Sequence, residues 1–309
     1  MIIYDGNHHW FRDIRHLARS WTMIKVTRAS LAVAIYSTII CLFRIELIPE
    51  SEEESTLTIF TFLGVVLSIL LVFRTNSAYD KWWEGRKQWG ALVNNCRNLA
   101  LYAHTILPPE DHFRRRFLAI RISNFCLSMV DHLRNGTKLE RLIHLTDRDR
   151  EIYSGVDHVP NRIALETWDS LQQAYKKGEI TDMDILNLRP SHQALLDILG
   201  ACERIRKTPI PFSYAVFLKV FITAYGLMLP FALVEEIGYA TIPAVTVVFF
   251  AFIGVEMMGE EIEEPFGTDC NDLPTHQIAT TISKNVFEIL EVDVDVAPIQ
   301  EPEMYQKVH

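Results

Sequence analysis

The sequence predicts an all-α membrane protein in which four membrane-spanning helices carry a helical cytosolic domain. Three observations predict it. Four charge-poor stretches, arranged as two pairs, each approach the ~20 apolar residues that a helix needs to cross a bilayer. The short connections inside the pairs, PESEEES and EEIG, hold carboxylates and no Lys or Arg. The long segment between the pairs repeats apolar residues at intervals of three and four, with no strand-like alternation.

Taken in order, residues 1–23 are charged and aromatic, and they lack the basic stub, short apolar run and small-residue cleavage site of a signal peptide. Residues 24–73 hold the first pair. The first span runs from about Ile24 to Ile48, with Lys25, Arg28 and Arg44 near its ends, where long side chains snorkel. The second starts near Leu57 and continues as IFTFLGVVLSILLVF to Arg74. No Gly or Pro falls between Arg74 and Gly85, so this span is expected to run on into the cytosolic domain as one rod.

Residues 74–207 form the helical cytosolic domain. Pro108 and Pro109 end its first helix, Asn135 and Gly136 its second, and Pro160 and Pro190 bracket a later one. Residues 208–258 hold the second pair of spans, and 259–309 an amphipathic helix, QIATTISKNVFEILE, and a tail. Lys and Arg on the flanks (Arg12, Arg15, Arg19; Lys81, Arg86, Lys87; Arg204, Arg206, Lys207) place both termini and the middle domain in the cytoplasm.

Composition narrows the function. A net charge of -9 without a long basic run argues against nucleic acid as a partner. Five scattered cysteines without a CxxC pair signal neither a disulfide framework nor a zinc site. A Gly-rich phosphate loop, a G-x-S-x-G elbow and an H-E-x-x-H helix are all missing, so no catalytic residue, enzyme activity or cofactor is expected. Two polar groupings stand out: the adjacent His8 and His9, read as surface histidines, and the acids Glu256, Glu260, Glu261, Glu263, Glu264, Asp269 and Asp272 after the fourth span. The acids lack the ordered spacing of a calcium loop and read as a solvated helix end. On the second span Phe62, Val66 and Leu70 follow Thr58 at four-residue spacing. In a symmetric assembly they would stack as apolar rings around a hole; the bland reading is a stripe that faces lipid or neighbouring helices.

FRTNSAYDKWWEGRKQWGALVNNCRNLA, with Arg74, Tyr79, Asp80 and the paired Trp82 and Trp83, resembles the signature of the bestrophin family in its bacterial branch. EEPFGTDCNDLP resembles the family's second motif, a Pro265-Phe266-Gly267 followed by acids. The resemblance implies a homopentamer around one axial pore in the bacterial inner membrane, a passive ion channel in contact with lipid. It places an apolar membrane neck on Phe62, Val66 and Leu70, and a second, cytosolic constriction on Ile180. Animal members bind calcium after Pro-Phe-Gly. Here Thr268 replaces the first acid of that run, so no metal is expected, with Asp269 and Asp272 as the only candidate ligands. Acidic residues at both mouths favour monovalent cations such as sodium. Two rivals stay open: a secondary transporter or exporter, against which stands the lack of inverted repeats, and a membrane scaffold without conductance.

Overall fold

The computed structural model describes residues 20–47, 57–269 and 271–293. His8, His9, the acidic turn after the first span and the C-terminal tail lie outside them. Helix α1 (Trp21–Leu42) starts at Ser20, whose hydroxyl accepts the Met23 amide as an N-cap, and continues as a π-turn through Phe43–Leu47. Helix α2 (Leu57–Ile106) is one rod of 50 residues, about 75 Å at 1.5 Å per residue. It runs from the apolar stretch into the polar helical domain without a break, as the sequence after Arg74 predicts, and ends ahead of Pro108 and Pro109.

The polar helical domain wraps α3 (His112–His132), which is buried from Leu118 through Asp131. Asp111 caps its start and Gly136, at φ +97°, turns the chain after it. A short α4 (Asp147–Ser154) follows, opened by a capping box in which Thr146 and Asp149 exchange side-chain and backbone bonds. Helix α5 (Val159–Lys176) carries Pro160 in its first turn, where the missing amide is no loss. Helix α6 (Asp182–Lys207) packs along α2, and α9 (Thr275–Ile289) packs on α3. The shared core includes Trp89, Leu92, Phe125, Ile163, Leu195 and Ile282.

Pro190 corrects the sequence reading, because it lies inside α6 and ends nothing. The carbonyl it deprives of a donor belongs to Leu186, which is exposed, so water can satisfy it. The actual start is set by Gly178 at φ +74° and by a second capping box, Thr181 with Asp184.

Three helical stretches among the described residues are long and apolar enough to cross a membrane: Trp21–Leu47, Leu57–Ile106 and Phe212–Ile262. The third is broken into α7 (Phe212–Ile237) and α8 (Thr241–Ile262) by a 3-10 turn over Gly238–Ala240, with Gly238 at φ +54°. Helix α8 packs against α1, α2 and α7. Gly226 makes the α7–α8 approach possible, since a Cβ there would sit 2.4 Å from the Phe249 ring. Leu67, Leu71, Leu218, Ile222 and Val245 form the core at this level.

Candidate pore face and the membrane–cytosol junction

Helix α2 has two unlike faces. Leu67, Leu71, Arg74, Ala78, Gly85 and Trp89 are buried against the rest of the subunit. At 100° per residue they gather on one side, and the opposite side holds Phe62, Val66, Ile69, Phe73 and Asp80. All five are exposed, with Phe62 at 69% and Phe73 at 61%. Phe62 and Val66 thus lie together on this exposed face. Leu70 departs from it, half-buried against the membrane-level core, and its carbonyl accepts the Tyr214 hydroxyl at 3.0 Å. A strict four-residue spacing drifts 40° per step on a helix, and by the third member it has rotated off the face. The signal that finds Ile69 and Phe73 is alternation of four and three, which keeps the stripe straight.

Following this face toward the C-terminal end of α2, the first charged residue after the apolar run is Asp80, which is exposed. Glu84 and Lys87 come next and lie 3.9 Å apart, so they offset one another.

Ile180 is only 4% exposed and packs in the core that α3, α5, α6 and α9 share. Three residues on, Met183 at 64% and Leu186 at 55% are the exposed apolar side chains of the same segment.

Where α2 leaves the membrane level, Glu263 ties three elements together. Its carboxylate accepts from Arg74 of α2 at 2.7 Å and from the Ile210 amide ahead of α7 at 2.6 Å, and Lys81 stands 3.5 Å away. Burial alone would push the Glu263 carboxyl up, but the Ile210 amide and the charges of Arg74 and Lys81 outweigh it and hold the group below the usual carboxylate range.

The two signature segments meet here. Trp82 donates its indole N–H to the Asn271 carbonyl at 3.0 Å. Phe266 is buried over Gly85 of α2, where a Cβ would come within 3.1 Å of its ring. Arg134, just past α3, donates to the Phe266 carbonyl at 2.9 Å. Pro265 accepts the Leu273 amide at 2.8 Å and closes the loop. Tyr79 is different: it is stacked near Trp82 and Trp83, and both Tyr79 and Trp83 are about half exposed.

Asp272 is buried beneath Gly267, where a Cβ would stand 2.6 Å from Oδ2. Oδ2 accepts the Asp269 amide at 2.6 Å. Burial pushes the Asp272 carboxyl up to about 7, with the negative neighbours Asp269 and Glu261 adding to it and the Asp269 amide opposing. Calcium takes six to eight oxygens. Among the described residues, no three acids of this stretch converge their ligand atoms. The Asp269 amide and the Asp272 carboxylate tie this loop to itself.

A family model described as Bacterial/Fungal Bestrophin protein matches residues 1–288. The chain belongs to the bestrophin family. A protein of Nostoc sp. (strain PCC 7120), named a voltage-dependent anion channel-forming protein, is 35% identical over 295 residues, covering 93% of this chain and 94% of its own. A protein of Escherichia coli (strain K12) with the same descriptive name is 31% identical over 290 residues, covering 93% and 94%. The crystal structure of a bacterial bestrophin homologue from Klebsiella pneumoniae matches with a TM-score of 0.79 at 28% identity, over 86% of this chain and 98% of that one. This bestrophin is therefore a membrane protein whose family and relatives point to an ion channel and away from an enzyme.

Proposed function

We propose that the chain is the subunit of a homopentameric channel that conducts monovalent cations such as sodium across the bacterial inner membrane. The observation that carries the proposal is the exposed stripe of α2. Phe62, Val66, Ile69 and Phe73 stand opposite the face that the subunit buries. Cyclic symmetry turns such a stripe into stacked apolar rings that pass ions only when wetted. Below them, Asp80 repeated around the axis presents a negative ring that attracts cations. The curated relatives are named for anions, and this reading departs from those names on the strength of Asp80.

In the same reading α1, the membrane half of α2, α7 and α8 each cross once, and both termini and residues 74–207 are cytoplasmic. The support is that the short connections PESEEES and EEIG hold no Lys or Arg, whereas the flanks facing the other way carry several. We place the cytosolic constriction at Met183 rather than at the buried Ile180, because Met183 is the more exposed of the segment's two exposed apolar side chains, Met183 and Leu186.

Single-channel recording of Val66→Ala tests the stripe. Shortening a ring that restricts flux raises unitary conductance, because every subunit loses bulk at the same level. An unchanged conductance and open probability would return Val66 to a lipid-facing or packing role.

A further inference from the structure

We infer that His132, His158 and Glu203 form a binding site for a divalent transition-metal ion of the zinc type, at the point where three helices of the cytosolic domain meet. His132 ends α3, His158 is the N-cap of α5, and Glu203 lies one turn before the end of α6. Three separate elements thus bring one ligand each. The Nε2 atoms of the two histidines converge on a single oxygen, Oε1 of Glu203, at 2.6 and 2.8 Å. Their rings lie 4.3 Å apart, centroid to centroid. All three ligand atoms fall within 4.8 Å of one another.

Two imidazoles and a carboxylate are a set that zinc accepts at about 2.0–2.2 Å per bond, which puts tetrahedral ligands roughly 3.3 Å apart. The cluster needs to open by only about half an ångström to admit the ion. Nitrogen ligands disfavour calcium and magnesium, which demand oxygen. The three side chains are partly exposed, at 18%, 32% and 22%, so one side stays open for a water as the fourth ligand.

The charge states suit a metal. Burial lowers the His132 pKa, although Glu203 opposes it, which leaves a neutral imidazole at neutral pH. Burial would raise the Glu203 carboxyl, but the bonds from His132 and His158 outweigh it, so the group is an ionised carboxylate. Arg206 stands against the ion: its guanidinium donates to the backbone carbonyls of His132 and Arg134 and places a positive charge nearby. Loading also has a local cost. His158 Nδ1 accepts the Asn161 amide at 3.3 Å, so its proton sits on Nε2 in the metal-free form. Coordination through Nε2 moves that proton to Nδ1 and gives up this long capping bond.

The site's position gives it a consequence. The Arg206 bonds to the His132 and Arg134 carbonyls, and the Arg134 bond to the Phe266 carbonyl, link it to the Pro-Phe-Gly loop. A metal that pins the end of α3 to α6 stiffens the support of that loop.

The test is calorimetric titration of zinc(II) into the chelator-treated, untagged full-length protein in detergent, with His8→Ser and His9→Ser substituted to silence the N-terminal pair. Cobalt(II) absorption serves as a second readout. The expected result is one zinc per subunit, a higher melting temperature on loading, and the intense visible bands of four-coordinate cobalt. His158→Gln and Glu203→Gln should each weaken zinc by at least about tenfold. Where Glu203→Gln melts early without metal, His132→Gln supplies the comparison. Absence of a saturable site in the parent protein, or an affinity unchanged across His132→Gln, His158→Gln and Glu203→Gln, would overturn the assignment.

Discussion

Arg74 and Glu263 define the sharpest energetic prediction, because their dependence on each other is unequal. Arg74 is 2% exposed, its Nε and Nη1 are buried without a hydrogen-bond partner, and among the described residues Glu263 is the one carboxylate within ion-pair distance of it. Glu263 keeps Lys81 and the Ile210 amide when Arg74 is gone. Breaking a buried pair from one side is destabilising by about 3–5 kcal/mol, whereas replacing both partners with apolar groups is often close to neutral. Glu263→Gln leaves a buried guanidinium facing a neutral amide and should lie in that range. That is a large part of a total stability of about 5–15 kcal/mol. Arg74→Met should cost clearly less, and the double variant less than the sum of the two. The pH sign follows from the lowered Glu263 carboxyl. Its contribution is fully present above the ordinary carboxylate pKa of about 4.3 and is lost as pH falls through the lower folded value. The penalty of Glu263→Gln should therefore be the same at pH 8 and pH 6. Chemical denaturation in mild detergent, followed by tryptophan fluorescence, measures all four proteins. Single effects that add within about 0.5 kcal/mol, or an Arg74→Met penalty equal to that of Glu263→Gln, would refute the reasoning.

Asp272, with its carboxyl raised to about 7, binds a proton in the folded state that the unfolded chain releases. Stability should fall as pH rises from about 4 to 7, by at most about 1.4 kcal/mol per pH unit from this group, and Asp272→Asn should flatten that slope in a pH series of melting curves. Gly226→Ala places a Cβ 2.4 Å from the Phe249 ring and should lower the melting temperature through overpacking, by an energy of roughly 1–3 kcal/mol. A companion change of Phe249→Leu should recover part of that loss. Met183→Ala should alter conductance or selection among cations in single-channel recording. Ile180→Ala should act on stability instead, by about 2–5 kcal/mol as a buried truncation.

Much of the fold can be read in the sequence because its determinants are local. The absence of breakers after Arg74 and the helix stop at Pro108 act within a few residues, and α2 obeys both. Pro190 misleads because one proline removes one backbone bond, and the surrounding packing of α6 decides whether the helix survives. The capping boxes at Thr146 and Thr181 are visible as T-x-x-D and mark starts more reliably than that proline does. The pore face is legible only in part. Periodicity shows a stripe, but which apolar residues it keeps exposed depends on where α7 packs, and Leu70 lies on the side where Tyr214 of α7 reaches its carbonyl. The burial of Ile180 is equally hidden from local pattern, since it is set by helices distant in sequence. The Glu263 junction was invisible because its partners lie 189, 182 and 53 residues away.

The reversal potential of the purified protein in a planar bilayer under a sodium chloride gradient tests the central claim most directly. Stepwise currents that reverse close to the sodium equilibrium potential are predicted, with the reversal moving toward zero in Asp80→Asn. Absence of single-channel steps, or reversal at the chloride potential that Asp80→Asn leaves unmoved, would contradict the account.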